Sequence, residues 1–475
     1  MAENQKMKLG TLTAMVVGGM VGAGVFSLPR NFAQATGVYG ALIAWMIAGA
    51  GMLMLAFVFQ NLANRKPDLD AGVYAYARAG FGPYLGFFSA FGYWASACVG
   101  NASYWILINS TLGALFPALG EGNTIAAVVI STLGIWAFYF MVLRGVKEAA
   151  AINKIVTIAK IIPLLVFLFL AIFAFKPDVF ADNLWGAGDA GNYGNLFSQV
   201  KATMLVTVFV FLGIEGASNY SRFAEKRSDV GKATVMGFLG VLALFASVSI
   251  LAYGVMPREE IAMLRQPSVA GVLESIVGRW GAIFISVGLV VSVLGAYLAW
   301  ALMSAEVLSI AAKKQDMPKF LARENANQVP AAALLMSSLM VQLIVVATLF
   351  SADAFAFALS LTSHLSLIPF LLSAAYALKL VTTKETYQQD AGSLNKDLLV
   401  SVLAVIYTLF LVFAGGLKFL VLGFLVYAPG TVLYYMTRRE QGKQLFTPME
   451  WLVFAVSVIG ALAALHGLVT GWITI

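Results

Sequence analysis

GTLTAMVVGGMVGAGVFSLP, residues 10–29, is long and apolar enough to sit in a bilayer, yet its centre carries Gly18, Gly19, Gly22 and Gly24. A glycine in a helix interior costs about 1 kcal/mol relative to alanine, so the cluster predicts that this helix unwinds in its middle. Unwound backbone at membrane depth persists only where it is buried in protein or lines a polar cavity. A second stretch, MLVTVFVFLGIEGASNYS at 204–221, carries Gly213 and Gly216 in the same place. Paired interruptions in corresponding positions of two halves are the sequence-level pointer to a carrier's substrate site.

The chain around them has 475 residues, 60% of them hydrophobic and 11% charged, with a mean hydropathy of +0.86. Soluble domains carry about 25% charged residues, so this is an all-α polytopic membrane protein. Apolar runs long enough to cross a hydrocarbon core of ~30 Å predict spans at 8–33, 39–62, 84–115, 124–143, 148–175, 198–220, 233–256, 279–312, 330–350, 354–379, 397–414, 418–437 and 450–473. The first is too long for a signal peptide and lacks a cleavage site.

The net charge of +7 reports topology and gives no reason to expect nucleic acid. With the N-terminus inside, 22 of the 30 basic residues fall on the cytoplasmic side and seven on the other, the bias of the positive-inside rule. An odd number of spans per half inverts the second half relative to the first. The expected division is therefore 8–175 for one five-span repeat, 198–381 for its inverted partner, and 396–475 for a tail of two or three helices.

Several functions are excluded. GMVGAG and GIEG lie within apolar spans, without the strand–loop–helix setting of a nucleotide motif, and no Walker sequence or repeated filter residue occurs. Cys98 alone forms no disulfide framework. His364 and His466 lack metal-ligand spacing, so neither metal nor cofactor is expected, and the chain reads as no enzyme.

What remains is recognition of a small zwitterion. Unwinding at 19–26 leaves backbone N–H groups without partners at the positive end of a half-helix, which suits a carboxylate. Gly22, Ala23 and Gly24 let it approach closely. The break at 211–218 would offer carbonyl oxygens around Phe209 to Gly213 to an α-ammonium. Glu215 and Lys160 are charges at bilayer depth, functional by default. Lys160 would place a fixed positive charge where a sodium-coupled carrier holds its ion. Tyr93, Trp94, Tyr104, Phe209, Phe211, Tyr297 and Trp300 lie at similar depth, where aromatic faces can hold a cation or only fill the core. Asn101 and Ser360 are mid-span polar residues open to a substrate or to a neighbouring helix.

The stretches GGMVGAGVFSLP (18–29), PDLDAGVYAYARAGFG (67–82), FGYWASACVGNASYW (91–105), FLGIEGAS (211–218) and GAYLAWALMSAE (295–306) resemble the amino acid–polyamine–organocation superfamily across all ten repeat spans. Within it, and with LRGVKEAAAINK (143–154), the chain is most similar to bacterial arginine/ornithine antiporters. The resemblance implies a LeuT-like inverted-repeat fold of five plus five spans with broken helices one and six, and 12–13 spans in all. It implies exchange of a cationic amino acid, arginine for ornithine, across a bacterial inner membrane by alternating access. Exchange of an amino acid for its amine (histidine/histamine, lysine/cadaverine or arginine/agmatine) and proton-coupled uptake are the alternatives. Its partners are small amino acids or amines and the lipid bilayer, with a homodimer left open.

Carried onto matching positions, the resemblance assigns the carboxylate to Met20, Ala23 and Gly24, and the α-amine to carbonyls of Phe209 through Gly213. It makes Trp300 a central gate and puts Tyr93 with Glu215 at an outer gate. Asn101 and Ser360 would contact the substrate, with Ala97 and Tyr104 on the same face. Ala23, Phe209, Ala97 and Tyr104 depart from the serine, tryptophan, cysteine and methionine of arginine/agmatine exchangers. The head-group site thus transfers better than the side-chain pocket.

Overall fold

A computed structural model describes residues 8–69, 73–145, 150–186, 193–215, 225, 227–387 and 391–474. Among these residues the chain is helical, without strands. Among the described residues nine helices are long and apolar enough to cross a membrane and one bent pair makes a tenth; Pro83–Gly113, long but less apolar, is not among them.

That pair is the first span. Helix α1 (Leu9–Met20) stops at Val21 and Gly22, which are extended, and the chain resumes as a 3-10 turn (Ala23–Ser27) running into α2 (Leu28–Ala35). The two parts are bent by 51°. Pro29 enters the first turn of α2, where its missing N–H costs nothing. Helices α3 (Val38–Arg65), α5 (Pro83–Gly113), α6 (Ile125–Leu143) and α7 (Ala150–Phe173) follow as spans two to five, with the short α4 (Val73–Phe81) before α5. Gly82 (φ +93°) turns the chain between α4 and α5, a conformation that favours glycine.

A one-and-a-half-turn helix, α8 (Pro177–Asp182), follows span five. Helix α9 (Tyr193–Phe211) is the first part of span six. Gly216 and the remainder of that break, with the second half of the span, lie outside the described residues. Span seven is α10 (Arg227–Ala252). Two short helices not anticipated from the sequence, α11 (Arg258–Met263) and α12 (Ser268–Val277), each begin just after a proline. Then come α13 (Arg279–Lys313), α14 (Ala331–Ala347) and α15 (Ala354–Thr383) as spans eight to ten.

The eleventh and twelfth expected spans form one 47-residue segment, α16 (Leu394–Glu440), interrupted at Gly416 (φ +72°). Near its start, Asp397 accepts from Asn61 and Arg65 at the end of α3. Near its other end, Thr431 meets the Tyr84 hydroxyl at the start of α5. Both ends thus return to the same side, and the segment is a hairpin. Helix α17 (Pro448–Thr470) follows, started by a capping box of Thr447 and Glu450. Glu450 also accepts from the Tyr84 backbone N–H, one of the donors that the start of α5 leaves orphaned.

Polar contacts sort the loops into two ends. Lys66–Glu385, Arg65–Asp397, Arg78–Asp316 and Lys313–Glu324 gather the basic loops at one end. Arg30–Asp353, Arg258–Glu259 and Arg265–Glu121 lie at the other. At the basic end, burial lifts Asp316 to about 6 from its ordinary 3.8, with Arg78 and then the Lys314 and Lys443 charges pulling it back. The folded protein therefore binds this proton more tightly than the unfolded chain. The stability it adds is full below pH ~3.8 and is lost as pH rises through about 6. Asp316→Asn should flatten that part of the thermal-stability profile; an unchanged slope between pH 4 and pH 7, measured in detergent at ~5 values, would contradict the assignment.

Candidate functional site

The two interruptions meet. A Cβ on Gly213 (φ +104°) would stand 2.6 Å from the Gly19 carbonyl oxygen, and one on Gly24 would stand 2.8 Å from Phe209 Cδ1 and Val210 Cγ1. Each distance is closer than a side chain tolerates, so glycine is what lets the unwound segments run side by side. Between them and α5 lies a cavity whose empty space, with the open solvent at its mouth, is about 550 Å³.

Each wall comes from a different element. The break of span one supplies Gly19, Met20 and Gly22 through Val25. Helix α5 presents Tyr93, Ser96, Ala97, Gly100 and Tyr104, a stripe at the three- and four-residue spacing of one helix face. Phe209, Val210 and Leu212 end α9, Trp300 comes from α13 and Thr362 from α15. The expected Met20, Gly22, Ala23, Gly24, Tyr93, Ala97, Tyr104, Phe209 and Trp300 are thus brought together, and Gly213 sits behind them on Gly19. Of the seven aromatics singled out, four line the cavity. Trp94 donates to Ser337, Phe211 packs on Phe238 and Phe245, and Tyr297 meets Trp105 and Phe138 edge to face.

Two expected contacts stand off the wall. Ser360 is turned about 200° from Thr362 by the helical step, so Thr362 takes the place that Ser360 was given. Asn101 lies at the edge of the α5 stripe, buried, with Oδ1 lacking a partner. Ser96, Gly100 and Thr362 were not anticipated. Counting the stripe from Tyr93 would have found the first two, whereas nothing in the sequence fixed the face of α15. Ser96 donates to the Thr362 carbonyl (2.8 Å), which ties the two walls together.

The Glu215 carboxylate is buried and bonded at both oxygens: Oε1 accepts from the Tyr93 hydroxyl (2.6 Å) and Oε2 from the Gly213 N–H (3.0 Å). It therefore braces the turn after α9 against α5. Two carbonyls proposed for an α-amine, those of Phe209 and Phe211, accept from Leu212 (3.3 Å) and Ile214 (3.2 Å). The Lys160 ammonium donates to the Gly18 carbonyl (3.2 Å) in the last turn of α1, where a cation complements the helix dipole.

The cavity is reached from the basic end. Gly19 on that side of the break is exposed and Leu212 half-buried, whereas Ala23 through Ser27 are all buried. At the opposite end the Arg30 guanidinium reaches Asp353 at the start of α15 (2.9 Å). Tyr93 is the wall residue of α5 nearest the basic end, and Glu215 lies beyond Phe209 in the same direction. The pair expected at an outer gate is on the basic-loop side instead. Among the described residues no cluster of histidine, cysteine or carboxylate side chains could hold a metal. His364 is buried beside Gly415 and Gly423, and His466 is exposed.

A multi-pass helical bundle with a central cavity between discontinuous helices is the architecture of a secondary transporter. The amino acid permease family model matches residues 8–425, and the chain belongs to that family. It is 52% identical over 99% of both chains to an arginine/ornithine antiporter of Pseudomonas aeruginosa. It is 40% identical to an L-lysine transport protein of Corynebacterium glutamicum (99% and 96% covered). It is 38% identical to an arginine/agmatine antiporter of Chlamydia pneumoniae (96% and 95% covered). The crystal structure of MhsT in complex with L-phenylalanine superposes over 87% of this chain and all of that one, with a TM-score of 0.57 at 16% identity, which shows the shared LeuT-type fold.

Since Gly24 is boxed in by Phe209 and Val210, Gly24→Val should cut amino acid affinity by about tenfold or more while Gly10→Val, at a site with open space, should not. Equilibrium binding of labelled substrate to both variants checks this, and retained affinity in Gly24→Val would refute the placement of the site.

Proposed function

We propose that the chain exchanges cationic amino acids, arginine for ornithine, across a bacterial inner membrane with its N-terminus in the cytoplasm. The observation that carries this reading is the cavity bounded by two breaks, one offering N–H groups and the other carbonyls. That pairing suits the carboxylate and ammonium of an α-amino acid. The choice of arginine and ornithine rests on the exchange named for the Pseudomonas relative.

Among the described residues no carboxylate stands in the cavity wall, and both Glu215 oxygens are engaged. The cationic end is therefore left to the faces of Phe209, Tyr104, Tyr93 and Trp300, which attract a guanidinium or ammonium by about 0.5–2 kcal/mol each. Trp300 and the Tyr93–Glu215 pair serve as gates, with the two halves 8–175 and 198–381 moving against each other and 396–475 apart from that motion. Lys160 acts as the fixed cation of the site through its bond to Gly18. Asn101 and Ser360, off the wall in this state, are contacts to test in the opposite-facing one.

Swapping two amino acids of equal charge moves no net charge. In reconstituted vesicles, uptake of labelled arginine should require arginine or ornithine inside and be indifferent to a sodium gradient or a membrane potential. Uptake into empty vesicles would reject exchange, and uptake that follows the potential would favour exchange of arginine for its decarboxylated amine. Lys160→Ala should stall turnover without restoring a sodium requirement.

A further inference from the structure

The break in span one is bonded to a loop that touches no part of the cavity. Ser27, at the end of the 3-10 turn, donates its hydroxyl to the Gly24 carbonyl (2.7 Å). The same Oγ accepts from Asn31 Nδ2 (3.1 Å), one turn further along. Asn31 Oδ1 accepts in turn from Gln266 Nε2 (3.2 Å), in the segment between α11 and α12. Gln266 is itself fixed: its Oε1 accepts from the Ser268 N–H (3.0 Å), and its backbone carbonyl accepts from the Ser110 hydroxyl of α5 (2.9 Å). The Ser268 Oγ returns to the same stretch of span one, accepting from the Arg30 N–H (3.1 Å) and donating to the Phe26 carbonyl (3.4 Å).

All of these side chains are buried, Ser27 and Ser268 at 0% exposure, Gln266 at 3% and Asn31 at 7%. A buried polar group without a partner costs its full desolvation, so each link holds the next in one arrangement. The donors all run one way, amide to amide oxygen, amide to hydroxyl, hydroxyl to carbonyl. Their common end is the Gly24 carbonyl, which the Ser27 hydroxyl draws back along its own helix. The orientation of the 23–25 peptides, whose N–H groups begin the helix without partners, is thereby set from outside the cavity.

We infer that Ser27, Asn31 and Gln266 are positioning residues for substrate: they fix the peptide planes of the first break, and so make the α11–α12 loop part of the affinity of a site it does not touch. This rests on the reading that the break receives the substrate carboxylate. One neutral hydrogen bond of ordinary strength corresponds to about fivefold in an equilibrium constant.

The test uses the full-length protein in vesicles and in detergent. Gln266→Ala and Ser27→Ala should each raise the half-saturating concentration of arginine by about fivefold, with the maximal exchange rate within about twofold of the parent. The double variant should be no worse than the more severe single one, because both cut the same chain. Ser27→Thr, which keeps the hydroxyl, should match the parent. If Gln266→Ala does not fold, Gln266→Glu keeps the acceptor for Ser268 and lacks the donor to Asn31. Independently of any substrate, amide hydrogen exchange at 23–28 should quicken by about tenfold in the Gln266 variant, with α13 unchanged. Unchanged half-saturation, a loss confined to the maximal rate, or unaltered amide exchange would each overturn the relay. If the parent exchanges no arginine, the transport reading fails while the amide-exchange result still decides this one.

Discussion

Every peptide group that leaves a helix inside a membrane must find another partner, and that demand organises this protein. Span one opens at Val21 and Gly22, and span six opens after Phe211. The freed groups are shared out among neighbours: Gly18 to Lys160, Gly24 to Ser27, Gly213 to Glu215. These bonds run along the walls of the hollow between the two spans. In the exchange proposed above, a substrate completes the hydrogen bonding of the break that encloses it.

The same demand explains where charge appears. A carboxylate or an amine at this depth is expensive unless it is paired or bonded. Glu215 and Lys160 each spend their charge on backbone at a break, so both are structural at the site before they are anything else. The Tyr93 hydroxyl joins this bracing from α5, which makes one wall of the cavity sensitive to the shape of the other.

The first break, the spans and the gathering of basic loops at one end were legible because each follows from a local rule. Clustered glycines announce unwinding, runs of about 20 apolar residues announce crossings, and basic loops announce an end. The two spans expected over 397–437 are the two arms of α16, which turn at Gly416. The site was legible where it is made of backbone, from Met20 to Gly24 and around Gly213, because glycine spacing marks backbone. It was less legible where side chains from distant helices converge. Thr362 lines the cavity and Ser360 does not, a matter of the rotation of α15 about its axis, and a nearly all-apolar helix does not show its facing in the sequence. The relay through Gln266 was invisible for a related reason, since it joins positions more than 200 residues apart (266 against 31).

The ammonium of Lys160 rests on the end of α1 by a tether, and that has a thermodynamic meaning. A dissociable ion that enters on one face and leaves on the other carries its electrochemical potential into the cycle as work. A charge covalently fixed to α7 that keeps its proton returns to its starting point with the polypeptide after each round and contributes none. In the arginine–ornithine exchange proposed above, whatever steepness of concentration the cycle sustains then comes from the cargo moving in the reverse direction.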